Sequence, residues 1–235
     1  MRNILGNKII LILLSLHCFS FQAIGQHWQS LGPLTLPQLN DSTDRSLQQA
    51  NGIGRIGVIR FLGKTKTSRV LLCTPYNYIR ESDRSFSQWR FPVQSGLPAI
   101  GIADLVALDK KGRKLIAVTG DADCGLDPNG PAMNSESCQS RGVFSTVDGG
   151  KTWKNMGLKE TVRISRVVIH PTNPNIVYVA SLGHTGGPQE ERGVYKTVDG
   201  GLHWKRVLFV DANTGCSDMV LSDANPDILY AAMWQ

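Results

Sequence analysis

The chain has 235 residues, with 25 lysines and arginines against 19 acidic residues, a net charge of +6, and 41% hydrophobic residues. Its 24 glycines and 11 prolines follow no short period, which excludes a collagen-like or low-complexity polypeptide. The positive charge is spread rather than clustered, which argues against a nucleic-acid partner, and no stretch after the N-terminal leader is apolar enough to predict a membrane span.

Arg2 and Lys8 flank the start of an apolar run at residues 9–14, and the small-residue site Ala23-Ile24-Gly25 follows. This order predicts a secretory signal peptide over residues 1–25, too short to be a transmembrane helix. Cleavage after Gly25 leaves 210 residues with a net charge of +4, because Arg2 and Lys8 go with the leader. The expected location is therefore secreted, periplasmic or cell-surface. Cys18 is a poor lipoprotein cysteine, since His17 stands where a small residue is wanted. Residues 26–53 form an N-terminal segment in which Trp28-Gln29-Ser30-Leu31-Gly32 echoes Trp153-Lys154-Asn155-Met156-Gly157. That echo makes it a candidate ring-closing strand.

From residue 54 onward the dominant signal is internal repetition. Arg141-Gly-Val-Phe-Ser-Thr-Val-Asp-Gly-Gly-Lys-Thr-Trp153 returns 51 residues later as Arg192-Gly-Val-Tyr-Lys-Thr-Val-Asp-Gly-Gly-Leu-His-Trp204. Asn173-Pro-Asn-Ile-Val-Tyr-Val-Ala180 returns 52 residues later as Asn225-Pro-Asp-Ile-Leu-Tyr-Ala-Ala232. A weaker copy, Ser82-Asp83-Arg84-Ser85-Phe86-Ser87-Gln88-Trp89, puts Arg84 where the aspartate belongs. The clearest unit predicts four short strands, over 164–169, 176–180, 193–197 and 203–209. The turn at 170–174 separates the first two, and an Asp-Gly-Gly hairpin separates the last two, its glycines being free to take positive φ. Four antiparallel strands every fifty residues or so describe an all-β chain, a β-propeller with blades at about 54–91, 101–157 and 163–210 and a half blade over 216–235. About three and a half blades leave the ring incomplete, so a truncated part of a longer protein is expected, with the missing blades supplied by a continuing or second chain. The rival architecture is a β-sandwich, which does not repeat at a fixed period.

The motifs Thr146-x-Asp148-Gly149-Gly150-x-Thr152-Trp153 and Thr197-x-Asp199-Gly200-Gly201-x-x-Trp204 resemble Asp-box (BNR) repeats. Such repeats occur in sialidases, xyloglucan-degrading glycosidases, photosystem II assembly factors and sortilin-type propellers. The stretch from Gly183-His184 through Glu190-Glu191-Arg192-Gly193-Val194-Tyr195 to Leu229–Trp234 is most similar to secreted bacterial proteins of the sortilin-like group. The resemblance spans roughly residues 50–235 and implies structural rather than catalytic roles for Asp148 and Asp199. A short carboxylate in a tight turn accepts nearby backbone N–H groups, and Trp153 and Trp204 are expected to cover the turns. Arg84 in the first copy and His203 in the third depart from the pattern.

Strand direction places the loops at 120–140 and 182–191 on the rim opposite these turns, and long loops on a rigid scaffold are where binding usually sits. They supply candidate rim residues Asp121, Asp123, His184, Glu190 and Glu191. Asp121, Asp123 and Asp127 invite a calcium reading, but the EF-hand glycine and closing glutamate are missing, so a solvated acidic loop is expected and no metal or other cofactor. On the innermost strands Asp104, Arg166 and Asp218 take equivalent positions, with Gly57 in the first unit. They form either a charged pocket for a polar ligand or an inter-blade row of ion pairs that fixes register. Cys124 and Cys138 flank one loop and could close a disulfide worth ~3 kcal/mol. Cys73 and Cys216 read as buried thiols. The leading functional expectation is an exported, non-catalytic module that binds protein or glycan through the loop-bearing rim. A glycoside hydrolase and an assembly or stability factor are the alternatives.

Overall fold

The structure is a computed structural model and describes residues 56–63, 68–74, 79–90, 96–98, 101–121, 139–184 and 187–235. The signal peptide, the segment 26–53, Asp123, Asp127 and the Cys124–Cys138 pair lie outside these residues. The chain divides into Met1–Ser30 and Leu31–Gln235, and every described residue belongs to the second unit.

Among the described residues, thirteen strands and one 3-10 turn make up the regular structure. They build four antiparallel sheets, each following the chain from one edge to the other. The first contains β1 (Val58–Leu62), β2 (Arg69–Cys73) and β3 (Ile79–Asp83). The second contains β4 (Ile102–Ala107), β5 (Leu115–Thr119), β6 (Val143–Thr146) and β7 (Lys154–Asn155). The third contains β8 (Ile164–Ile169), β9 (Val177–Ser181), β10 (Gly193–Thr197) and β11 (Lys205–Leu208). The last contains β12 (Gly215–Leu221) and β13 (Leu229–Trp234). The 3-10 turn, Lys159–Thr161, links the second sheet to the third. At the place of the expected fourth strand of the first sheet, the described residues show one bridge, Glu81 to Arg90. Among the described residues no helix is long and apolar enough to cross a membrane.

Packing explains the sequence pattern. All residues of β5 and β9 are buried. Both strands lie inside a sheet that is covered on each face by a neighbouring sheet, so their apolar runs do not alternate. Outer strands β7 and β11 are largely exposed. Three apolar clusters fill the successive gaps. Val58, Leu62, Leu71 and Ile79 of the first sheet meet Ile102, Leu105, Phe144 and Trp153 of the second. Ile116, Val118 and Val143 meet Ile164, Val167, Val177 and Val179. Tyr178, Ala180 and Val194 meet Cys216, Met219 and Leu221. Each buried Val, Leu or Ile contributes roughly 1.5–3 kcal/mol, so these gaps hold the array together. Cys73 and Cys216 are free thiols within the first and third clusters. Burial pushes their pKa values up to about 12 and about 11.

One irregularity recurs. A β-bulge interrupts the innermost strand between Ile102 and Asp104, between Ile164 and Arg166, and between Cys216 and Asp218. Bulges re-aim the following side chain. They give Asp104, Arg166 and Asp218 a common position, while β1 pairs with β2 in unbroken register.

Candidate functional site

The Asp-Gly-Gly turns are hydrogen-bonded alike in the second and third sheets. Thr146 Oγ1 donates to Asp148 Oδ1 at 2.7 Å and accepts the Gly150 N–H at 3.1 Å. Asp148 Oδ1 accepts the N–H groups of Lys151 and Thr152, each at 3.0 Å. Thr197, Asp199, Gly201, Leu202 and His203 repeat these contacts at 2.7, 3.0, 3.0 and 3.0 Å. Where Thr152 donates its hydroxyl to Asp148 Oδ2 at 2.5 Å, His203 presents Nδ1 to Asp199 Oδ2 at 2.7 Å. The substitution therefore keeps the bond. The Thr152 hydroxyl first, then its N–H and Thr146, hold the Asp148 carboxyl far below the usual range. For Asp199 the first cause is the His203 N–H, followed by Thr197 and the His203 ring. Both oxygens of each aspartate thus accept hydrogen bonds from within its own turn.

Gly149 and Gly200 have φ of +81° and +74°, which the turn demands. Each tryptophan ring lies 3.5 Å from where a Cβ would stand on the second glycine of its own turn, Gly150 or Gly201, and each packs toward the preceding sheet. Their indole acceptors differ: Trp153 donates to Gly150 O at 2.9 Å, and Trp204 to Met156 O of the second sheet at 2.8 Å. In the first sheet the carboxylate moves one residue earlier than the repeat register. Asp83 Oδ1 accepts the Ser85 N–H at 2.8 Å, while Arg84 turns to Gly63 O at 3.0 Å.

The innermost strands bring Asp104, Arg166 and Asp218 into one row. Arg166 Nε donates to Asp218 Oδ1 at 2.6 Å, and its Nη1 lies 3.6 Å from Asp104 Oδ2. Asp104 is fully buried, accepts the Leu105 N–H at 2.8 Å and the Val167 N–H at 3.1 Å, and pairs with Arg60. The first sheet thus contributes Arg60 and not Gly57, because β1 lacks the bulge and its register sets Val58 opposite Cys73. The result alternates in sign, Arg60–Asp104–Arg166–Asp218, with one residue from each sheet. The Arg166 hydrogen bond holds the Asp218 carboxyl below its usual value, and the same bond raises the Arg166 guanidinium.

On the rim away from the Asp-Gly-Gly turns, the described loop residues 182–184 and 187–192 are joined by side-chain bonds to the backbone. Buried Arg192 donates to Leu182, His184 and Gly187, and Gln189 joins His184 N to Glu160 O. His184, Glu190 and Glu191 all lie on this loop. Glu190 offers its carbonyl to Arg206, and Glu191 offers its own to the Tyr195 hydroxyl at 3.1 Å. Asp121 is buried at the end of β5. Among the described residues no three His, Cys, Asp or Glu side chains could share a metal ion.

The same rim carries a cleft of about 700 Å³ that the sequence did not reveal. Its lining includes Leu97, Pro98, Arg141, Lys159, Glu160 and Val162. Lys159 and Glu160 are exposed. The linker beside it is bent out of ordinary backbone space: Leu158 has φ +55°, and β-branched Val162 has φ +53° and ψ −52°. Such outliers cost on the order of 1–3 kcal/mol and concentrate at functional sites. Leu-Lys-Glu-Thr-Val carries no sequence signature of this strain, so only the backbone exposes it.

No protein-family model and no curated protein matches the chain. Among solved structures it is similar to an ancestral GH74 enzyme, with a TM-score of 0.54 and 15% identity over 76% of this chain and 22% of that one. The GH74 xyloglucanase from Xanthomonas campestris gives 0.49 and 14% over 77% and 27%. YCF48 bound to D1 peptide gives 0.33 and 17% over 88% and 66%. The chain thus spans about a quarter of the length of the two GH74 enzymes. These neighbours are β-propeller proteins, and the likeness to the first supports that fold for the four sheets described above.

Proposed function

We propose that the chain is an exported binding module, its sheets being Asp-box blades of the sortilin-like kind, and that it takes protein or glycan ligands at the loop-bearing rim. The rim cleft supports this reading more than any other feature. It combines about 700 Å³ of space, charges of both signs at Arg141, Lys159 and Glu160, and the strained backbone at Val162. Arg192 joins the carbonyls of Leu182, His184 and Gly187, which suits a preformed surface.

The carboxylates argue against assigning hydrolysis to them. Inverting glycosidases need two carboxyl groups about 6.5–9.5 Å apart, one of them protonated to serve as the acid. Asp104 is buried among two arginines and two backbone N–H groups, and Asp218 is kept ionised by Arg166. Each is engaged as an ion-pair acceptor.

A glycan array and an affinity capture from periplasmic or extracellular extract, run with the full chain, test the proposal. A ligand retained by the wild-type chain and lost by Lys159→Ala with Glu160→Gln supports it. A ligand unaffected by those changes, or turnover of xyloglucan or a sialoside, contradicts it.

A further inference from the structure

Positive charge is spread along most of the chain but concentrates in the hairpin at 108–114, Leu-Asp-Lys-Lys-Gly-Arg-Lys, which joins β4 to β5. The Leu108 N–H donates to Lys114 O at 2.8 Å and closes the turn. The third and fourth sheets close turns of equal length, at 170–176 and 222–228. There the His170 N–H donates to Ile176 O at 3.0 Å and the Ser222 N–H to Ile228 O at 2.9 Å. Those copies contain no lysine or arginine. The fold therefore does not require Lys110, Lys111, Arg113 and Lys114, whose like charges repel one another.

This turn lies on the rim that carries the Asp-Gly-Gly turns, and within the second sheet the two turns are joined. The Gly149 N–H donates to Arg113 O at 2.9 Å, and Arg69 bridges Gly112 O and Gly149 O at 3.1 and 2.8 Å. Exposed Lys151 extends the basic surface. The nearby carboxylates are already engaged. Asp109 Oδ1 accepts the Arg113 and Lys114 N–H groups at 2.8 and 3.2 Å, Asp148 is used within its own turn, and Glu81 pairs with Arg69.

Aliphatic side chains stand among these charges. Val147 is 73% exposed although the second sheet has a neighbour on each face. Its repeat copy Val198 is 64% exposed, and Leu202, at the place of Lys151, is 65% exposed. Exposure is thus a property of these turn positions and not of a missing neighbour. An aliphatic group held at a turn tip is stabilised only where an apolar medium receives it. Basic residues beside aliphatic tips suit an anionic bilayer, whose headgroup phosphates attract the charges and whose interface takes up the apolar groups. A polyanion in water would satisfy the charges alone.

We propose that this rim is a docking surface for an anionic phospholipid bilayer, with Lys110, Lys111, Lys114 and Lys151 at the phosphates and Val147, Val198 and Leu202 entering the interface. The surface goes beyond the ligand cleft proposed above and lies on the opposite rim, which leaves that cleft facing solvent.

Cosedimentation of the full chain with vesicles of phosphatidylcholine, alone or mixed equally with phosphatidylglycerol, tests the surface. Every protein compared carries the same apolar run at 9–14, so the phosphatidylcholine arm reads the contribution of that run. Binding is expected to be at least tenfold tighter with phosphatidylglycerol and to weaken as salt is raised. Lys110→Gln with Lys111→Gln, which leaves the main-chain bonds of the turn in place, should weaken it about tenfold or more. Val147→Ser with Val198→Ser changes no charge and should weaken it about tenfold. Equal binding to both vesicles overturns the proposal, as does a lysine variant that binds like the wild-type chain. Valine variants that bind like the wild-type chain, with heparin displacing both from the vesicles, also overturn it, since a soluble polyanion would then be the occupant.

Discussion

Asp104 Oδ2 accepts the backbone N–H of Val167 at 3.1 Å across the boundary between the second and third sheets. The bond ties a buried charge on one sheet to the main chain of the next, while Arg60 and Arg166 neutralise it from either side. Removing one member of a buried pair leaves the others uncompensated. Asp104→Ala is therefore expected to destabilise the fold by about 3 kcal/mol, near the low end for buried pairs because both arginines reach solvent. Arg166→Ala should cost less, since Arg60 still serves Asp104 and half-exposed Asp218 can be hydrated. Denaturant melts of the two variants check the order.

Acid should loosen the hairpin turns. The folded Asp148 and Asp199 carboxyls titrate well below the unfolded value near 3.9. A depressed folded pKa contributes stability that is fully present above the unfolded value and is lost as pH falls toward the folded one. The melting temperature should therefore drop below about pH 4. Asp148→Asn with Asp199→Asn should flatten that drop while lowering stability at neutral pH. A melting series from pH 2 to 7 measures both.

Gly142 and Gly193 sit at φ +93° and +115°, each with a carbonyl 2.1 Å from where a Cβ would stand. Alanine at either position combines backbone strain with a collision against main chain, which cannot swing aside. Each is expected to cost more than about 2 kcal/mol, read as a shift in denaturant midpoint. Alanine at Gly187, where the nearest contact is 3.9 Å, should cost less despite its φ of +124°.

Val162 should respond in the opposite sense. Glycine accepts φ +53° freely, so Val162→Gly is expected to raise stability by about 1 kcal/mol after its larger unfolded-state entropy is counted. The same change should weaken ligand capture at the rim cleft, because the linker would no longer be held in one shape. Melting and capture on the same variant should move apart.

Repetition made the sheets legible before any coordinates. The 51-residue return of the Asp-Gly-Gly turn and the β-branched strands specify local structure strongly, and the described strands fall close to the expected ranges. The alignment of Arg166 with Asp218 was also readable, because Asn173-Pro174 and Asn225-Pro226 fix the register of their strands, and the preceding unit places Asp104 at the same point. Arg60 was not readable, since its role depends on a bulge that β1 lacks. Asp83 was hidden for a similar reason: the turn at Ser82–Ser85 shifts its carboxylate by one residue. The rim cleft could not be read because residues 96–98, 139–141 and 159–162 converge only in three dimensions.

Paired melting and ligand capture on Asp104→Asn test most directly whether the charged row fastens the sheets while the rim binds. A lowered melting temperature, with the folded fraction holding the same ligands as the wild-type chain, is the predicted result. Unchanged melting with lost capture, or with lost turnover of a glycoside that the wild-type chain cleaves, would place the active chemistry in the row and contradict the account.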